Sequence, residues 1–228
     1  MNLDQARIRL TDFDARARRE ALHALASAQE SGHLPRPPRR GVVNMHCHTF
    51  YSYNGYGHSP ESLAWLAAEE GWRALATVDF DVLDGVAETL AACDRVRIRA
   101  ASGLETRTYL PEFARWEVNS PGEPGVLYHV GLGFTSPEAP PAARKTLAAM
   151  RAGAERRNRE MVERINAHLA PVTIDYAREV LPLTPSGNAT ERHILVAYDA
   201  AARRRFPDRE ALVGFWAERL GAPPAEVD

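Results

Sequence analysis

The segment His46-Cys47-His48-Thr49 closes a short apolar run that begins at Val42. Residues two apart on a β-strand project from the same face, so His46 and His48 can reach one ion together from a rigid support. Neutral imidazoles suit zinc, iron and manganese. The same spacing also fits two partly exposed histidines at a strand end. Cys47, between them, points the other way and reads as a small buried residue rather than a nucleophile or ligand.

Other strand ends carry residues of the same kind. A second apolar run ends Thr77-Val78-Asp79-Phe80-Asp81, followed by Asp84-Gly85, and the spacing of Asp79 and Asp81 places them on one face. A third run ends Ser102-Gly103-Leu104-Glu105-Thr106, and a fourth, Val126 to Phe134, carries His129 among apolar neighbours. In an α/β barrel the C-terminal strand ends form one mouth, so successive strands here each deliver a potential ligand to it. A carboxylate such as Glu105 can bridge two cations, and a cation pair clamps phosphoryl oxygens and activates water. Taken singly, His129 also fits a core histidine. Asp79, Asp81 and Asp84 also fit helix capping, the role assigned to Asp84.

The elements that must hold these residues follow from periodicity and punctuation. Leu3, Ile8, Leu10, Phe13, Leu22 and Leu25 predict an amphipathic helix over 3–31, stopped near Gly32, as an N-terminal helical extension over 1–33. Residues 34–41, with three prolines and three arginines, read as a linker. Strands are predicted at 42–46, 73–78, 96–104 and 126–134, with helices at 59–70, where Ser59 caps and Pro60 opens the first turn, and at 84–93. This alternation predicts βαβ units around a parallel sheet or barrel over 42–135. Residues 136–228 read as a helical segment, with helices near 142–169, 173–181, 190–204 and 208–220 and no strand after about 135. The loop Thr184 to His193 opens the third of these helices. Arg192 beside that helix N-terminus suits a phosphate, although capping by Asn188 or Thr190 explains the same residues.

The 228 residues are 45% hydrophobic and 25% charged, with a net charge of −2, which excludes a mostly disordered chain and any overall basic field for nucleic acid. No apolar run is long enough to span a membrane, the N-terminus lacks the order of a signal peptide, and two cysteines make no disulfide framework. A cytoplasmic protein is expected.

In their order, these residues resemble the polymerase-and-histidinol-phosphatase (PHP) family. The resemblance rests on His46-x-His48-Thr49, Ser52 and Gly55, Ser59-Pro60-Glu61, Ala76-Thr77-Val78-Asp79-Phe80-Asp81, Asp84-Gly85, Gly103-Leu104-Glu105 and His129-Val130-Gly131-Leu132-Gly133. It covers roughly 42–135, the first half of such a domain. It implies an α/β fold, a partial or distorted TIM-like (β/α)7 barrel, and hydrolysis of a phosphate ester by metal-activated water. The implied cofactors are divalent ions (zinc, manganese or iron), two of them. By resemblance His46 and His48 are the first paired ligands, Glu105 the bridging carboxylate and His129 a ligand of the second ion. Asp79 ligates or orients a ligand, so that Asp79 and Glu105 form the catalytic pair, and Arg107 or Arg192 pairs with the phosphate.

The departures from the family pattern are specific. Its second motif usually reads Thr-Asp-His-Asp, and here the histidine position is Phe80. Asn54 stands where members often carry an acidic residue. The late His-Pro and Asp-x-His motifs are missing, and the later histidines His168 and His193 do not fit them. His58, in the loop after the first strand, is a candidate replacement ligand or an exposed loop histidine. Tyr51, Tyr53 and Tyr56 suit either stacking on a substrate ring or loop packing. The leading expectation is therefore an enzyme acting on a small phosphorylated substrate, with neither membrane nor nucleic acid as partner. The alternatives are an inactive PHP-like metal-binding or interaction module, or a fragment of a longer enzyme.

Overall fold

The computed structural model describes residues 2–53 and 56–227, so that Asn54 and Gly55 lie outside the described residues. The chain divides into two compact units, residues 1–148 and 149–228.

The first unit opens with α1 (Leu3–Arg9) and α2 (Ala15–Glu30), where periodicity predicts a single helix. The chain breaks at Thr11–Asp14 because short polar side chains compete with the helix for its amides. Asp12 Oδ1 accepts the Asp14 amide at 2.9 Å, and Asp14 Oδ1 accepts the Arg16 amide at 2.9 Å as the N-cap of α2. Segment 34–41 carries no helix or strand and is pinned where the Arg40 amide donates to Gly71 O at 2.7 Å.

Strand β1 (Val43–Cys47) is followed by α3 (Pro60–Glu69), β2 (Ala74–Phe80), α4 (Val86–Arg95) and β3 (Arg99–Tyr109). Ser59 caps α3 by accepting the Ser62 amide at 3.0 Å, as its sequence predicts. The chain leaves α3 through Gly71 at φ +69°, where a Cβ would run into the Pro38 carbonyl. The N-cap of α4 is Gly85, without a side-chain cap bond, so Asp84 does not take the capping position expected of it. Strand β4 (Val126–Leu132) completes a curled four-stranded sheet, half of a barrel, in the order β1-β2-β3-β4.

The first three strands are parallel, joined through α3 and α4 as successive βαβ units. Strand β4 is antiparallel to β3, a departure from the expected all-parallel sheet. Segment 110–125 holds only a short 3-10 turn at Pro111–Phe113 and lacks the crossover helix that usually accompanies a parallel return. Gly103 permits close contact at this pairing, since a Cβ there would overlap the Gly131 carbonyl oxygen.

The core of this unit lies on the helix side of the sheet. Ala6, Leu10, Leu22 and Leu25 of the N-terminal helices pack with Leu63, Trp65 and Ala67 of α3, Leu75 of β2 and Cys93 of α4. Cys47 packs against this core, so alternation sends its neighbours His46 and His48 to the opposite face.

The second unit holds most of α5 (Pro141–His168), then α6 (Glu191–Arg205), α7 (Arg209–Leu220) and the short α8 (Pro224–Val227). The helix expected near 173–181 is a π-helical turn, Tyr176–Val180, continued by a 3-10 turn, Leu181–Leu183. Val162, Leu169, Ile174, Val180, Ile194, Tyr198 and Phe215 form its core. Thr190 caps α6 in a capping box closed by His193, whose Nδ1 accepts the Thr190 amide at 3.0 Å. Among the described residues no strand follows β4, and no helix is long and apolar enough to cross a membrane.

Candidate metal centre

Three side chains converge at the C-terminal end of the parallel strands. His46 Nε2 lies 2.9 Å and His48 Nε2 3.1 Å from the same oxygen, Glu105 Oε2. The ligand atoms of the three residues all lie within 4.8 Å of one another. Burial is graded: the Glu105 side chain is 8% exposed, His48 20% and His46 54%, so the group opens to solvent on the His46 side.

Local structure explains the convergence. The β1–β2 register slips between Asn44 and Cys47, and this bulge re-aims the strand end that carries both histidines. Glu105 is paired in register with Phe80 on β2 and with Val130 on β4, and registered partners share a sheet face. On that face the Phe80 ring stacks on the His48 ring, with centroids 4.5 Å apart and planes 19° from parallel. Tyr128 approaches Phe80 from β4, with centroids 6.1 Å apart.

Asp79 stands apart from the three-residue group. It is 2% exposed and faces the helix side, and both of its oxygens are engaged. The Thr49 amide and the Ser52 hydroxyl each donate to Oδ1 at 2.7 Å, and the Thr49 hydroxyl donates to Oδ2 at 2.7 Å. Burial pushes its carboxyl upward, opposed by these donors and by the nearby His48. Its position is that of a clasp under the loop that follows His48. Asp81 does not share a face with Asp79, because β2 ends at Phe80 and Asp81 turns to φ +58°, where it accepts the Thr106 hydroxyl at 2.6 Å.

The remaining candidates are dispersed. His129 is exposed and pairs with Thr106, on the sheet face opposite to Glu105, outside the three-residue group. His58 Nδ1 lies 3.1 Å from Ser62 Oγ. Arg107, two residues beyond Glu105 on the same face of β3, forms an ion pair with Glu123. Arg192 belongs to the second unit, in the exposed first turn of α6. Burial pushes the Cys47 thiol up to about 11, which keeps it protonated at neutral pH.

The donor set fits a divalent ion. Two imidazole nitrogens and one carboxylate oxygen, crowded together at a strand end, form the two-histidine, one-carboxylate pattern that holds zinc, manganese or iron and leaves positions open.

A four-stranded half-barrel, three strands parallel and one antiparallel, with such a group at the C-terminal end of its parallel strands defines an architecture rather than a reaction. No family model matches the chain, and no curated protein matches it. Two solved structures share its fold. One is a Bifidobacterium adolescentis protein provisionally described as a metal-dependent phosphoesterase. It is 23% identical, with a TM-score of 0.57, and the match covers 77% of this chain and 57% of that one. The other is an amidohydrolase from Chromobacterium violaceum with bound sulfate and no metal. It is 22% identical, with a TM-score of 0.54, and the match covers 73% of this chain and 51% of that one. The chain therefore spans only a little over half the length of these relatives in structure.

The sequence did not single out Arg18 or Glu88. The signal for Arg18 lay in its helix: it shares the buried stripe of α2 with Leu22 and Leu25, at i+4 and i+7, where a charged residue needs a partner.

Proposed function

We propose that the chain is a metal-dependent hydrolase acting on a phosphate ester, with His46, His48 and Glu105 as the ligands of one divalent ion. The convergence of both histidine Nε2 atoms on Glu105 Oε2, at 2.9 and 3.1 Å, carries this reading. When bound, the ion lowers the pKa of a coordinated water and polarises the oxygen of the scissile group. The two histidines and the glutamate supply three ligands and leave the solvent-open side for water and substrate. Asp79 holds the loop beneath His48 and serves as a positioning residue. Arg107, on the face of Glu105, is the cation assigned to the substrate's anionic group, in exchange for Glu123. Phe80 favours one ion rather than two: it stands at the motif position where the PHP pattern has a histidine, and its ring, stacked on His48, offers no donor.

Phe80 also supports a second reading, a metal-binding module without turnover. Elemental analysis of the purified chain, followed by a panel of aryl phosphate mono- and diesters and aryl amides with zinc or manganese, separates the two. The hydrolase reading expects about one equivalent of metal, chelator-sensitive phosphate-ester turnover, and loss of both in Glu105→Gln. Metal without turnover on any ester or amide establishes the module. Amide turnover alone replaces the substrate class, and absence of metal overturns both readings.

A further inference from the structure

Arg18 of α2 is buried to 0% exposure, although arginine is almost never fully buried unless paired. Each of its five donor hydrogens has an acceptor. Nε donates to Glu61 Oε2 at 2.8 Å, Nη1 to the carbonyls of Asp12 and Phe13 at 2.8 and 3.1 Å, and Nη2 to Glu88 Oε2 at 2.5 Å and to the Tyr51 hydroxyl at 3.3 Å. The Tyr51 hydroxyl in turn donates to Glu88 Oε2 at 3.0 Å. The guanidinium also lies 5.0 Å from the centre of the Phe50 ring. One side chain thus joins α2, α3, α4 and the loop that follows His48.

That loop carries the hold on the metal-centre side. The Tyr51 amide donates to Thr49 Oγ1 at 3.1 Å, and the Thr49 amide and hydroxyl both bind Asp79 at 2.7 Å. Gly85 closes the space between Asp79 and Tyr51, since a Cβ there would meet Asp79 Oδ2 at 3.1 Å and the Tyr51 ring at 3.2 Å. From the guanidinium the connection runs through Tyr51 to Thr49, which Asp79 anchors and which directly follows His48 in the chain.

We infer that Arg18 is a positioning residue for the metal centre: by fixing Tyr51 it sets the clasp of Thr49 and Ser52 on Asp79, and so the placement of His48. This inference rests on the reading of His46, His48 and Glu105 as metal ligands. A guanidinium is suited to the task because it presents a planar, always charged fork that a lysine cannot reproduce.

The test uses the full chain with two variants. Tyr51→Phe keeps the ring and removes the one hydroxyl that links the guanidinium to the loop, and Arg18→Lys keeps the charge and loses the fork. Amide hydrogen exchange in the metal-free chain, read at Thr49 against Leu75 in the core, reports the clasp without any metal. Zinc affinity and the visible spectrum of the cobalt-loaded chain report the centre. Both variants are expected to speed exchange at Thr49 selectively, to weaken zinc binding about tenfold, and to alter the cobalt spectrum. Unchanged Thr49 exchange, or faster exchange at Thr49 and Leu75 alike, overturns the positioning role in favour of a general contribution to stability. If the unaltered chain binds no metal, the ligand reading fails by itself, and selective exchange at Thr49 still decides whether Arg18 holds the loop.

Discussion

The ring of Phe80 lies flat against the imidazole of His48, with centroids 4.5 Å apart. The phenyl group packs against a candidate ligand and offers no donor atom of its own, so its contact restricts the imidazole's orientation. Phe80→Leu preserves apolar bulk and removes the stacked face. Aromatic pairs contribute about 0.5–1.5 kcal/mol beyond burial, so metal affinity is expected to weaken by roughly two- to tenfold. Isothermal titration with zinc measures it, and an unchanged affinity would show that the stack does not hold His48.

Thr49→Val tests the clasp. Thr49 is 0% exposed, and its hydroxyl donates to Asp79 and accepts the Tyr51 amide. Valine fills the same space and leaves both partners short of one bond. The expected loss is about 1–3 kcal/mol of unfolding free energy, read from the denaturant midpoint. A change below about 0.5 kcal/mol contradicts the hydrogen-bonded arrangement.

His193 provides a pH dependence in the second unit. Burial lowers its pKa to about 4. The unfolded chain takes up a proton near pH 6.5, and the folded chain does not until about pH 4. The stability it contributes is complete above about pH 6.5 and is lost as pH falls through about 4, up to roughly 3 kcal/mol. His193→Gln keeps an acceptor at the capping-box position and removes the titration. Its stability is expected to be flatter between about pH 4 and 6.5, measured by urea unfolding at several pH values.

Gly103→Ala probes the sheet that presents Glu105. A Cβ there overlaps the Gly131 carbonyl, so β4 must move away from β3. A loss of about 1–3 kcal/mol is expected, with faster exchange of the Glu105 and Val130 amides. Intact exchange protection in the variant would mean that β4 does not pair as described.

Much of this was legible because it is local. The Ser59-Pro60 start of α3, the Gly71 stop, the four strands and the long helix after residue 140 follow from caps, alternation and periodicity over a few residues. Less was legible where local signals compete or where distant partners decide. The break at Asp12–Asp14 lies inside a continuous apolar stripe. Asp79 has the type and spacing of a ligand, but its hydrogen bonds come from Thr49 and Ser52, 30 and 27 residues earlier in the chain.

The sequence by itself determined which residue types close each strand: His46 and His48 on the first, Asp79 on the second, Glu105 on the third, His129 on the fourth. Only the tertiary structure decided which of them meet. Side chains alternate with a period of two, so the register of β4 places Val130 beside Glu105 and sends His129 to the other face. The partners that tie the buried arginine of α2 to the His48 loop lie on segments far apart in the chain, and no local pattern names them.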